Sequence, residues 1–82
     1  MSERLETAAK LYDEAAKELD RAARHCEVAA QHFRDNLVPR GAAHAWAARG
    51  HLLEAEKRLD EQAREHSSRS SIETTPGGQA SA

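Results

Sequence analysis

LETAAKLYDEAAKELDRAARHCEVAAQHF, residues 5–33, repeats every seven residues. One larger residue recurs at Leu5, Tyr12, Leu19, Cys26 and Phe33. Three and four positions after each of the first four comes an alanine pair: Ala8–Ala9, Ala15–Ala16, Ala22–Ala23 and Ala29–Ala30. A strand would alternate with period two, whereas this rhythm belongs to a helix with a lengthwise contact stripe. In heptad notation the larger residues occupy a, and the alanines occupy d and e. A period of 3.5 specifies a left-handed supercoil seam. Alanine at d and e lets a partner backbone come close. Cys26 falls in this apolar seam and reads as a small core residue.

Working outward, Ser2 is a suitable N-cap and Glu3 suits the first turn. Glu6–Lys10, Asp13–Lys17 and Asp20–Arg24 are acid-then-base pairs four apart, on a solvated face. The run breaks at Arg34-Asp35-Asn36-Leu37-Val38-Pro39-Arg40-Gly41. Asn36 suits the left-handed position after a helix end, and Leu37 can cover that end. Pro39 suits the first turn of a new helix. The expected organisation is a helical hairpin over residues 1–66, with helix 1 at about 3–35, a turn at 36–38 and helix 2 at about 39–66. Residues 67–82 are polar, small and nearly devoid of apolar side chains, and read as a disordered tail.

So short a connection makes the helices antiparallel. The expected seam of helix 2 runs through Ala45, Ala48, Leu52, Ala55, Leu59, Gln62 or Ala63, and His66. With the turn centred near Val38, Leu19 should face Leu59, Cys26 should face Leu52, and Phe33 should face Ala45. On one flank Glu18 should face Arg58, His25 should face His51, and His32 should face His44. Trp46 and Leu53 form a second apolar patch one step off this seam, with Gly50 between them. Glycine inside a helix costs about 1 kcal/mol relative to alanine, and close approach by another helix would explain its use. Trp46, Gly50 and Leu53 are therefore the expected self-association residues.

Composition bounds the function. The chain has 82 residues, 39% of them hydrophobic, but alanine supplies much of that share. A chain this small needs disulfides, a metal or a partner copy. Cys26 is its single cysteine, which excludes a disulfide framework and fits a reducing, cytoplasmic setting. The net charge is −2, and the basic residues are interspersed with acidic ones. That pattern argues against nucleic acid as a partner. No apolar run has the length of a membrane span. There is no paired-carboxylate site, serine triad or phosphate-binding loop, so the chain reads as non-enzymatic and without a cofactor.

Five histidines are present, and His25, His32, His44 and His51 fall into the two facing pairs. Imidazole binds zinc, copper or nickel, so these four are the candidate metal ligands. Successive histidines on one helix stand about 10.5 Å apart along the axis, so a single ion cannot take all four. The alternatives are that they pack and hydrogen-bond across the hairpin, or that facing imidazoles both charge near about pH 6 and repel, making the hairpin less stable in mild acid.

Ala42–His66, with AHAWAARGHLLEA at residues 43–55, resembles short uncharacterised bacterial proteins rich in alanine and histidine that look like helical hairpins. The likeness extends over residues 5–66 and implies the hairpin fold but no established activity. The sequence thus predicts an all-α, coiled-coil-like antiparallel hairpin with an alanine-rich seam, dimerising into a four-helix bundle. Its expected role is a homo-oligomeric interaction or scaffold module, the alternative being a small metal-binding protein.

Overall fold

The structure, a computed structural model, describes residues 2–70. It is an all-α hairpin of two long helices, α1 (Glu3–Arg34) and α2 (Val38–Ser68). Of the residues expected in the tail, Ser67 and Ser68 belong to α2, and residues 71–82 lie outside the described residues. Ser2 caps α1, its hydroxyl accepting from the Leu5 amide at 3.2 Å. Of the three acid-then-base pairs, Asp20–Arg24 closes at 2.8 Å.

The turn is built from backbone hydrogen bonds. Asn36 adopts φ 63°, the left-handed conformation that asparagine tolerates better than most residues. The Asn36 amide donates to the Phe33 carbonyl at 3.0 Å, and the Leu37 amide donates to the His32 carbonyl at 2.8 Å. Together these satisfy carbonyls that the end of α1 would leave orphaned, the Schellman arrangement. Leu37 then begins α2 without a side-chain cap, and Pro39 follows in the first turn.

The contact line keeps alanines of the expected seam and leaves out its larger residues. The buried residues are Ala15, Ala29, Gly41, Ala48 and Ala55, with Ala55 fully covered. All of them are alanine or glycine. The seam thus runs along the d alanines of α1 and along Gly41, Ala48 and Ala55 of α2. The a residues expected in it, Leu5, Tyr12, Leu19, Cys26 and Phe33, are all exposed. Leu59 is exposed as well, and Leu52 is half-buried. The physical reason is that two helices alone have one line of closest contact. Small residues on that line let the backbones pack closely, whereas large ones would hold the axes apart.

Geometry sorts the remaining stripes. In an antiparallel pair, residues four after the seam positions of both helices share one side. These are Tyr12, Leu19, Cys26 and Phe33 with Ala45, Leu52 and Leu59. Residues three after the seam positions share the opposite side: Leu11, Glu18, His25 and His32 with His44, His51, Arg58 and Glu65. The hairpin is a single layer, with a Cα extent of 12 Å along its shortest axis. One side is therefore mainly apolar, and the other carries the histidines.

Gly41 is a position whose importance the sequence did not reveal. A Cβ there would stand 2.8 Å from Cε2 and Cζ of Phe33. The Phe33 ring thus lies over Gly41 and closes the turn end of the seam.

If the seam is the tight contact, adding bulk there must push the helices apart. Ala55→Leu should destabilise the hairpin by roughly 1–3 kcal/mol in urea unfolding followed by circular dichroism. Ala43→Leu, on the exposed outer side of α2, should change stability by no more than about 0.5 kcal/mol.

Candidate functional site: a histidine ladder beside the seam

The stripe three residues after the seam carries Glu18, His25 and His32 on α1 and His44, His51 and Arg58 on α2. The seven-residue spacing stacks each set at two-turn intervals, and the antiparallel pairing interleaves them. Each ring consequently lies between two groups on the opposite helix. His25 stacks on His51, with ring centroids 5.3 Å apart and planes 13° apart. It also meets His44 at 5.2 Å, and His44 meets His32 at 5.3 Å. The His25–His51 and His32–His44 contacts are the two expected from the register. The His25–His44 contact is additional.

Two hydrogen bonds define the ladder's chemistry. Nδ1 of His25 and Nδ1 of His44 stand 3.0 Å apart, so one ring donates and the other accepts. That contact requires at least one of the two rings to be neutral. Farther along, Nδ1–H of His51 donates to Oε1 of Glu18 at 2.7 Å. The carboxylate can only accept, which fixes the His51 proton on Nδ1. Glu18 also accepts from Arg21 at 2.9 Å, and its side chain is only 14% exposed. The expected Glu18–Arg58 pair does not form. Arg58 lies instead 3.5 Å from Glu14 and pairs with Glu54 on its own helix. The missed Glu18–His51 contact was in principle legible, because an interleaved stripe offers every residue two partners and not one.

These contacts pull the Glu18 carboxyl below its ordinary value of 4.5. The His51 hydrogen bond is the main cause, opposed by burial and helped by the nearby charges of Arg21, His51 and Arg58.

The chain matches no family model, no curated protein and no solved structure. The resemblance noted above thus gains no support from these comparisons, and any functional reading rests on the molecule itself.

Among the described residues, no three histidine, cysteine, aspartate or glutamate side chains converge where they could hold one metal ion. The four candidate histidines are brought together as a file of neighbouring pairs. The expected self-association residues lie elsewhere. Trp46 is 76% exposed and Leu53 is 50% exposed, both on the outer side of α2. Gly50 is exposed, and a Cβ there would meet nothing within 4 Å, so no contact within the hairpin explains that glycine. At the open end the helices leave a cleft bordered by Arg4, Leu11, Glu61, Gln62, Arg64 and Glu65. Its mixed charges select no ligand class.

A carboxyl group lowered by folding adds stability above its ordinary value. That stability disappears as the pH falls through the lower, folded-state value. Glu18→Gln should therefore flatten the loss of hairpin stability below pH 4.5. Thermal melts of both proteins from pH 6 down to about pH 3 check this; parallel curves would refute the assignment.

Proposed function

We propose that this chain is a non-enzymatic, cytoplasmic interaction module that pairs with a second copy of itself through its apolar side, forming a four-helix bundle. The observation that carries this reading is the placement of the large apolar residues. The buried interior contains only alanine and glycine, while Leu5, Tyr12, Leu19, Phe33 and Leu59 are all exposed, most on one side of a single helical layer. Four buried alanine methyls at about 0.8 kcal/mol each are a small interior for helices of 32 and 31 residues.

The dimensions suit a second hairpin. Two helices of this length present a face about 48 Å long and about 20 Å wide, or about 960 Å². A stable interface covers about 800 Å² on each partner. A second copy offers the same length, the same width and the same apolar stripe, which is the self-complementarity of a two-fold dimer. Alanines 16, 23 and 30 beside the larger residues let the second layer sit close. Cys26 lies on this side, and its unpaired thiol fits a reducing compartment.

Trp46 and Leu53 form a second exposed strip, farther around α2 than Leu59. In the proposed dimer they extend the apolar side at its rim, and Gly50 leaves room for a neighbouring backbone. The interspersed charges favour a protein partner over nucleic acid. No helix among the described residues is long and apolar enough to cross a membrane.

Sedimentation equilibrium at micromolar concentration tests the proposal. The unaltered chain should be a dimer. Leu19→Glu, which places a charge in the middle of the apolar side, should shift it to monomer, and Trp46→Ala should weaken the dimer to a smaller degree. A monomeric unaltered chain, or a Leu19→Glu variant that stays fully dimeric, would sink the assignment.

A further inference from the structure

The histidine stripe lies on the side of the hairpin away from the apolar one, so what it does is independent of whether the chain dimerises. We propose that His25 and His44 form a binding site for a divalent first-row transition-metal ion of the imidazole-preferring class: zinc, nickel or copper. The site takes one ion per hairpin through the two Nδ1 atoms and links α1 to α2.

The argument begins with distance. Two imidazole nitrogens bound to one ion at about 2.0–2.1 Å stand about 2.9 Å apart at a right-angled coordination and about 3.3 Å apart at a tetrahedral one. The Nδ1 atoms of His25 and His44 stand 3.0 Å apart, between these limits. The ring centroids stand 5.2 Å apart with planes tilted by 33°, so the two rings lie nearly end to end along the shared proton. Helix geometry has therefore already brought both donors within coordinating distance, and a rotation of each ring about its side-chain torsions turns both lone pairs toward an ion beside the line between them.

Protons balance without an added acid or base. With both rings neutral, one carries its proton on Nδ1 and donates it to the other. On binding, that ring's proton moves to Nε2 by exchange with water. Both Nδ1 lone pairs then point at the ion, and no net proton is released. Among the described residues no hydrogen bond engages Nε2 of either ring, so that position is free to take the proton.

The surroundings permit a cation. Two arginines border the pair, Arg21 and Arg24. Each is already engaged by a carboxylate: Arg21 by Glu18 at 2.9 Å and Arg24 by Asp20 at 2.8 Å. Beside the two rings Val28 helps to line a small cavity, which gives room for water on the remaining coordination positions. His51 stacks on His25 with its Nδ1 held by Glu18, and His32 flanks His44, so both rings brace the pair from either end. Protein side chains fill two positions, and solvent fills the others.

Calorimetric titration of the full chain with zinc, nickel and copper chlorides at pH 7.5 tests the site. Saturable binding of one ion per chain is expected. It should weaken at least tenfold in His25→Gln and in His44→Gln, and stay unchanged in His66→Gln, which alters an exposed histidine near the end of α2. Imidazole nitrogen NMR of the unaltered chain with zinc supplies a readout that does not depend on any variant folding. The Nδ1 resonances of His25 and His44 should move together as zinc is added. Binding that is not saturable, affinity equal in the His25→Gln and unaltered chains, or zinc shifts confined to other histidines would each overturn the proposal.

Discussion

Everything in this molecule depends on how closely two helix backbones approach along a line of alanine and glycine. Ala15, Ala29, Gly41, Ala48 and Ala55 are its buried residues, and none has a side chain larger than a methyl group. Close approach gains contact between the backbones themselves and holds the axes parallel over many turns. It also sets what lies on either side. Once the small residues are turned inward, the next positions around each helix must fall on two opposite sides of a thin layer. One side receives Tyr12, Leu19, Phe33 and Leu59, and the other the histidines, Glu18 and Arg58.

Those two sides obey different physics. The apolar one is non-directional: it gains by losing water, and many arrangements of a covering layer would satisfy it in part. The histidine ladder is directional. Its members are fixed by individual hydrogen bonds, His51 to Glu18 and His25 to His44, each with a defined donor or a shared proton. A hairpin thus separates an apolar side from a directional polar one while using a single seam to organise both.

Much of this was legible in the sequence, and the limits have a physical origin. The turn was readable because Asn36 and Leu37 meet local requirements that no distant contact overrides. The His25–His51 and His32–His44 contacts followed from antiparallel register alone. The alanine line followed too, but the exclusion of the larger residues from it did not. A seven-residue repeat marks several parallel stripes at once, and the larger residues at a and the alanines at d share the same period. Which stripe becomes the contact line depends on how many helices are present, and that lies beyond local pattern. The same uncertainty placed Cys26 inside, whereas its thiol is exposed. A register that gives each residue one partner does not show the Glu18–His51 contact, because the helices interleave. Gly41 was missed because its value lies in the Phe33 ring that covers it.

The seam also bears on how such a protein can change over generations. It restricts size, not chemistry, and it does so only once in every seven residues of each helix. The intervening positions are free to drift as long as each helix stays helical and keeps its polar and apolar sides. Descendants of a common ancestor would then keep a rhythm of small residues long after their identities had diverged. Kinship among such chains would be written in spacing, which comparison of residue identities is poorly suited to detect.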